Sequence, residues 1–468
     1  MSDPVIWPVI LWLRRDLRLS DQPALRAAAA AGPVIPVFVL DDARAGDHEM
    51  GGASRWWLHH SLASLDADLR EKGSRMILRE GDCVSVLSAI AEQHAVRQIH
   101  ALRHYEPWWV EAESELAAEL KDDVELCLHD GNYLAPPGSV TTGSGDPYKI
   151  YTPFWKALKE QMPPEEPLRA PQSIDAPTEW PDSDDLDDWK LLPTDPDWAE
   201  AFADLWTPGE TAARERVNAF GAQSSDYDEA RNLPSQDGSS RLSPHLHFGE
   251  VSPAYVWHRI RDATGDATVF LKELAWRDYA QNVIMQFPDY GRQGYRERFE
   301  DLEWRDFRSA TVREEFDRWT RGRTGYPIVD AGMRQLWKHG WIHNRVRMIC
   351  ASFLIKHLLI DWREGEKWYW DCLLDADYGN NAVNWQWIAG TGVDSNMFVR
   401  IMAPLSQSDK FDAGAYIRDY VPELADLPDD TIHDPEEAGC RPHDYPAKII
   451  GHKDARERAL AAYRKIKD

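Results

Sequence analysis

The hydrophobic rhythm of the chain changes near residue 130, and that change limits the fold more than any other feature. Before it, short apolar runs alternate with amphipathic stretches. VILWL (Val9–Leu13), VIPVFVL (Val34–Leu40), RMILRE (Arg75–Glu80), RQIHALR (Arg97–Arg103) and VELCLHD (Val124–Asp130) read as buried strands. Between them, Ala53–Lys72 places Trp57, Leu58, Leu62, Leu65 and Leu69 on one helical face, and Gly73 follows as a stop. Strands that alternate with helices predict a doubly wound parallel sheet. No G-x-G-x-x-G follows the first strand, so an ordinary dinucleotide fingerprint is not indicated.

After residue 210 strand signals nearly vanish. Helical patterns recur at Glu210–Gly221, Pro253–Thr264, Ala267–Gln286, Val312–Gly322, Ile328–His339, Asn344–Ile360 and Gly365–Leu374. The expected organisation is an α/β domain over 1–132, an acidic connector over 133–210, and a larger all-α domain over 211–468. A length of 468 residues suits two to four domains with real cores.

Net charge is −26, which by itself argues against nucleic acid, but the charge is uneven. From 163 to 210 there are fourteen acids and two bases; from 313 to 347 there are eight bases and four acids. DNA is therefore not excluded. Five cysteines without a C-x-x-C pair disfavour both a disulfide framework and a thiolate cluster. With no span of ~20 apolar residues and no visible signal peptide, the expectation is a cytoplasmic monomer without a membrane segment. The 22 tryptophans exceed common usage; most serve core packing, and some are available for stacking or electron transfer.

Four segments carry candidate chemistry. Tyr227-x-x-x-Arg231 leads into GSSRLSPHLHFGEVS (Gly238–Ser252), where hydroxyls beside a helix start suit a phosphate or simply cap a turn. FLKELAWRDY sets Glu273, Trp276 and Arg277 within one helical turn, as a site or as a surface ion pair beside a core tryptophan. The stretch from Thr324 to Trp370 interleaves Arg334, Arg345 and Arg347 with Trp337, Trp341 and Trp362. That mixture suits stacking and charge recognition of nucleic acid, or a solvated basic helix packed on tryptophan. Lastly, Asp375, Asp377, Asn380, Asn381 and Asn384 form a polar group that needs partners if buried, and it has no nearby His to favour a metal.

In order and spacing, these segments resemble the photolyase/cryptochrome flavoprotein family from about Leu13 to Leu424. The carrying motifs are WLRRDLRLSDQPAL, GSSRLSPHLHFGEVS, ELAWRDY, TGYPIVDAGMRQL, GWIHNRVRM, LLIDWREGE and DADYGNNAVNWQW. The resemblance implies an N-terminal antenna domain and a helical domain that holds FAD. It places Tyr227, Ser239, Ser240, Leu242, Ser243, Phe270, Arg277, Trp341, Arg347, Asp375, Asp377 and Asn381 around that cofactor. Arg347 and Asp375 are expected to pair beside the flavin ring, with Asn381 facing it.

Trp341-Ile342-His343-Asn344 lacks the His-His pair of the (6-4) branch and looks like the cyclobutane pyrimidine dimer branch. The resemblance then implies light-dependent DNA repair. Reduced FAD donates an electron to a flipped-out dimer in UV-damaged DNA, the cyclobutane ring opens, and the electron returns. Trp276 and Trp387 would stack on the dimer, Asn344, Arg345 and Met348 would line it, and Glu273 would bond a pyrimidine carbonyl. Trp385 and Trp362 match the inner members of a tryptophan relay; Trp304 stands earlier than the outer member is expected. In the antenna domain the folate segment of the family is altered to His104-Tyr105-Glu106-Pro107-Trp108-Trp109, while His48 occupies a folate-contact position. Methenyltetrahydrofolate is expected there in preference to 8-hydroxy-deazaflavin. The iron–sulfur branch needs four C-terminal-domain cysteines, and only Cys350, Cys372 and Cys440 are present, so no metal is expected. The alternative function is a cryptochrome-like photoreceptor without repair activity; only a short tail follows the last motif, which favours the enzyme.

Overall fold

The computed structural model describes residues 7–120, 124–263, 266–395 and 398–466. Thr264, which ends one of the helical segments above, lies outside them. The chain packs as two compact units. The first holds residues 1–197, 206–225 and 240–288; the second holds 198–205, 226–239 and 289–468. The boundaries at 132 and 210 follow composition, whereas the packing divides the chain elsewhere.

The first unit contains a five-stranded sheet: β1 (Val9–Leu13), β2 (Val34–Leu40), β3 (Ile77–Glu80), β4 (Gln98–Leu102) and β5 (Glu125–His129). Their order is β3-β2-β1-β4-β5, and every pairing is parallel. β1 sets Val9 against Val34 on one side and Gln98 on the other. Burial on both faces explains the continuous apolar runs, since both sides of a parallel sheet are covered by helices. β1 and β2 are buried at every position. The helix Gly52–Glu71 buries Trp57, Leu58, Leu62, Leu65 and Leu69, the face read from the periodicity.

Strand order reverses between β1 and β4, where sheets of this kind usually receive a nucleotide. Here two buried arginines pack beyond the carboxyl end of β1. Arg14 donates to the Leu102 carbonyl and to Glu113. Arg18 donates to Asn132 Oδ1 and to the carbonyls of Gly131 and Gly249. Burial first, and then the charge of Arg14, pushes His104 down to about 3, so this imidazole is neutral in the network.

The acidic connector docks on the sheet. Asp184 N–H donates to the Leu78 carbonyl, Leu78 N–H to Ser183 Oγ, and Glu80 N–H to Asp184 Oδ2. These bonds occupy the outer edge of β3, which would otherwise offer unpaired backbone groups. Trp189 is buried and packs on Phe38. Two short 3-10 turns, Leu186–Trp189 and Glu200–Phe202, lie in the connector. A ten-residue helix, Tyr151–Glu160, also lies inside the span read as connector. Its buried Tyr151, Phe154, Trp155 and Leu158 have helical spacing, a signal that the surrounding Pro- and Gly-rich sequence obscured.

In the second unit the described elements are helical. Pro327–His339 starts on a proline at its first turn and stops at Gly340 in the left-handed conformation, φ 62°. The helix expected to run from Asn344 to Ile360 is shorter. It is α-helical over Asn344–Ser352, widens into a π-helical turn at Phe353–His357, and ends before Leu359 at φ 52°. Trp362–Cys372 and Tyr378–Ala389 then pack against each other. Gly365 makes that approach possible, because a Cβ there would fall 2.3 Å from Leu354 Cδ2 and 2.4 Å from Trp385 Cη2.

Candidate functional site

The second unit carries a cavity whose lining includes Asn344, Arg347, Met348, Asp375, Asn381, Trp385 and Trp387. Three helices supply them. Asn344–Ser352 contributes Asn344, Arg347 and Met348 at i, i+3 and i+4, one face of a helix. Tyr378–Ala389 contributes Asn381, Trp385 and Trp387. Trp362–Cys372 contributes Tyr369, and Asp375 follows that helix in a turn.

Electrostatics hold the polar wall in place. Arg347 Nη2 lies 3.2 Å from both oxygens of Asp375, whose side chain is only 7% exposed. Asn381 Nδ2 donates to buried Glu366 Oε1 at 2.7 Å, which fixes the amide plane. Asp377 acts differently. Its Oδ1 accepts from the Asn380 backbone at 2.7 Å and caps the Tyr378–Ala389 helix. Of the two carboxylates, then, Asp375 reaches the cavity and Asp377 terminates a helix. Tyr369 donates its hydroxyl to the Arg347 carbonyl and meets Trp385 edge-on at 5.0 Å. Trp319 stacks on Tyr369 at 5.9 Å. Burial holds the Tyr369 phenol well above its ordinary range, so it stays protonated.

Other expected residues of this unit stand outside the cavity lining. Trp341 is buried against His343. Arg345 bonds Asn232 and lies over Phe411 at 4.7 Å. Trp362 is buried under Arg363, at 4.9 Å. Trp304 is half-buried. Tyr227 carries the Arg231 guanidinium over its ring at 5.4 Å. Ser239 follows Gly238, where a Cβ would meet the Ala230 backbone at 2.6 Å, so the turn demands glycine.

The first unit holds the remaining expected residues. The helix opened by Ser243 is only five residues long, so little dipole gathers at its start. Ser240 Oγ accepts from Leu242 N–H, and Arg241 between them has φ 51°. Leu242 and Phe270 are buried, the latter against Phe220 at 4.8 Å. The long helix Thr268–Gln286 carries Glu273, Trp276 and Arg277. Arg277 donates to the Leu246 carbonyl and lies over Tyr133 at 5.6 Å. Trp276 stacks on Tyr151 at 3.6 Å.

Two features of the second unit fit a flavin. Arg347 Nε is a buried donor without a hydrogen-bond partner among the described residues. The cavity joins a guanidinium–carboxylate pair and a fixed amide to an indole wall, which suits a planar, polar-edged heterocycle. Sequence reasoning missed Glu366 and Tyr369. Both lie in a segment whose motif was recognised, but their spacing carries no sign of what they touch.

Comparison with known proteins shows the family. The family profile described as "DNA photolyase" matches residues 9–172, and the "FAD binding domain of DNA photolyase" matches 270–465. A deoxyribodipyrimidine photo-lyase of Agrobacterium fabrum is 47% identical over 482 residues, covering 98% of each chain. The crystal structure of a bacterial class III photolyase from Agrobacterium tumefaciens has 45% identity and a TM-score of 0.94, covering 100% of this chain and 99% of that one. Cryptochrome-1 of Arabidopsis thaliana is 35% identical, covering 96% of this chain and 69% of its own length. With both profiles in the same order and near-complete coverage at 47% identity, the chain belongs to the DNA photolyase/cryptochrome family.

Proposed function

We propose that this protein is a deoxyribodipyrimidine photo-lyase, a light-dependent enzyme that splits cyclobutane pyrimidine dimers in DNA. One observation carries the reading: residues expected at the flavin (Arg347, Asp375, Asn381), the inner relay residue Trp385, and residues expected at the lesion (Asn344, Met348, Trp387) line the same cavity. Electron transfer between two ligands needs them close and fixed, and a shared cavity supplies that. Bound FAD, in its reduced state, supplies the light-excited electron donor.

The chain's own residues do the positioning. Arg347 and Asp375 hold the ring edge, and Asn381, anchored by Glu366, faces it with a neutral amide. Asn344 and Trp387 orient the dimer, and the Glu273 carboxyl, in its protonated form, donates a hydrogen bond to a pyrimidine carbonyl on which negative charge develops. Tyr227, Ser239, Ser240, Leu242, Ser243, Phe270, Arg277, Trp341 and Asp377 complete the cofactor shell. Arg345 and Met348 line the dimer with Asn344 and Trp387. Trp385, Trp362 and Trp304 form the relay that reduces the flavin. A dimer is already poorly stacked, so extruding it from the duplex costs less than extruding a normal base.

For the antenna we retain methenyltetrahydrofolate in preference to 8-hydroxy-deazaflavin. His48, the residue expected at the folate, is buried and packs near-parallel to half-buried Trp108, at 6.2 Å and 16°. No described helix is long and apolar enough to cross a membrane. We read the protein as a cytoplasmic monomer.

The deciding assay incubates the reduced holoprotein with an oligonucleotide containing a thymine dimer under blue light. Restored thymines establish repair. Photoreduction without restored thymines establishes instead a cryptochrome-like photoreceptor, the reading favoured by the relative from Arabidopsis.

A further inference from the structure

Trp276 is held by a device in the first unit that the family motifs do not include. The strap 148–151 lies along the helix Thr268–Gln286 and is tied to it by four hydrogen bonds. Asn282 Nδ2 and Gln286 Nε2 donate to the Tyr148 carbonyl at 2.8 and 3.0 Å. Tyr279 donates its hydroxyl to the Lys149 carbonyl at 2.8 Å. In return, the Tyr151 hydroxyl donates to the Lys272 carbonyl at 2.5 Å, one turn before Trp276. The strap therefore cannot slide along the helix without breaking bonds made in both directions.

These ties place the Tyr151 ring flat on the Trp276 indole, with centroids 3.6 Å apart and planes within 7°. Tyr279 closes one edge of the indole at 5.4 Å and 85°, and meets Tyr151 at 5.6 Å and 81°. Tyr279 is fully buried and Tyr151 is 9% exposed, while Trp276 is half-buried. One indole face is covered and one edge is fixed; the opposite face is covered by none of these rings. Close face-to-face overlap is not the arrangement that aromatic quadrupoles prefer, so the ties, and not ring attraction alone, set it.

We propose that Tyr151 is a positioning residue for damaged DNA: it is the fixed floor that holds the Trp276 indole ready to stack on the extruded dimer. The inference rests on the reading that Trp276 stacks on the lesion. An exposed tryptophan without a floor samples several rotamers and must be ordered when the lesion arrives. Tyr151 removes that ordering cost beforehand. Burial, followed by the charges of Glu273 and Asp278, holds the Tyr151 phenol above its ordinary range, so the floor stays neutral at working pH.

The test uses the FAD-loaded full chain in the dark. Binding is measured to a duplex with one thymine dimer and to the same duplex undamaged; repair under blue light is then measured at saturating damaged duplex. Tyr151→Met keeps bulk but removes the planar face. It is expected to weaken dimer binding about tenfold, to change undamaged binding less than about twofold, and to leave saturated repair and flavin content unchanged. Tyr151→Phe keeps the face and should restore dimer binding to within about twofold of wild type. Asn282→Leu loosens the strap without touching the ring stack and should weaken dimer binding about threefold, a check that stands if the Met variant does not fold.

Wild-type dimer affinity in folded Tyr151→Met, or in Asn282→Leu when the Met variant does not fold, overturns the proposal. So does equal loss in the Met and Phe variants. Trp276→Ala separates the two levels. If it loses dimer binding while Tyr151→Met does not, Trp276 still contacts the lesion and only the floor is wrong. If Trp276→Ala binds like wild type, the lesion reading itself falls.

Discussion

Arg347 is useful to the cavity because Asp375 holds it. The guanidinium reaches both carboxylate oxygens, and the carboxylate is nearly enclosed. Arg347→Met leaves that carboxylate unpaired, which costs on the order of 3 kcal/mol. The expected outcome is a lower denaturant midpoint together with loss of bound flavin, read by unfolding and absorbance on the same sample. Glu273 belongs to a different class. Its carboxyl is proposed to meet charge that appears only after electron transfer, so Glu273→Ala should lower repair per absorbed photon while flavin content holds. Equal photon yields in mutant and wild type would sink that assignment. For Trp385, replacement by Phe removes the easily oxidised indole with a modest change in volume. Photoreduction of the oxidised protein should then slow strongly, while repair by chemically reduced protein persists. A normal photoreduction rate per bound flavin would make Trp385 only a packing residue.

At the scale of elements, the helix Thr268–Gln286 is fixed through one buried acid. Asp278 Oδ1 accepts from the N–H groups of Leu134 and Ala135 at 2.7 and 3.1 Å. Burial pushes its carboxyl up to about 7 from 3.8, against the lowering effect of those bonds. The native state thus holds the proton more tightly than the unfolded chain. The contribution is fully present below about pH 4, declines as pH rises from 4 to 7, and is flat above. The amide of an Asp278→Asn variant does not titrate. The difference in urea midpoint between wild type and that variant should therefore fall across the same window and not outside it; a pH-independent difference would refute the shift. The helix Trp362–Cys372 meets its neighbour at Gly365, where a Cβ has no room. Gly365→Ala is expected to cost about 1–3 kcal/mol by overpacking, and to displace Trp385.

For the molecule as a whole, distribution of charge matters more than its sum. Part of the acidic excess is committed to covering the edge of β3. The basic stretch 313–347 is partly committed too. Arg318 bonds the Ala447 carbonyl, Arg334 pairs with Glu423, Arg345 bonds Asn232, and Arg347 holds Asp375. Arg313, Arg321, Arg323 and Lys338 remain exposed. If these contact phosphates, replacing Arg321 or Arg323 by Ala should each reduce the slope of log K against log salt by about 1. Titrations of damaged duplex at several salt concentrations measure it; unchanged slopes would place the DNA on another surface.

The sequence by itself determined the strands, most of the helices up to Leu374, and the family. Five strands were legible because strands buried on both faces must be apolar throughout, and the helices because one apolar stripe must repeat every turn. The motifs, whose order is a property of the chain alone, indicated the residues expected at flavin and lesion. Strand order was not legible, since equally apolar strands carry no record of their neighbours. Nor was the π-helical turn at Phe353–His357, because its residues are as apolar as those of the helix it interrupts. The roles of Asp377 as a cap, Glu366 as an anchor and Tyr151 beneath Trp276 depend on contacts between residues distant in sequence or on local backbone geometry. Only tertiary structure decides these, because what a side chain does is set by what packing brings within hydrogen-bond or van der Waals reach, and composition and periodicity hold no term for that.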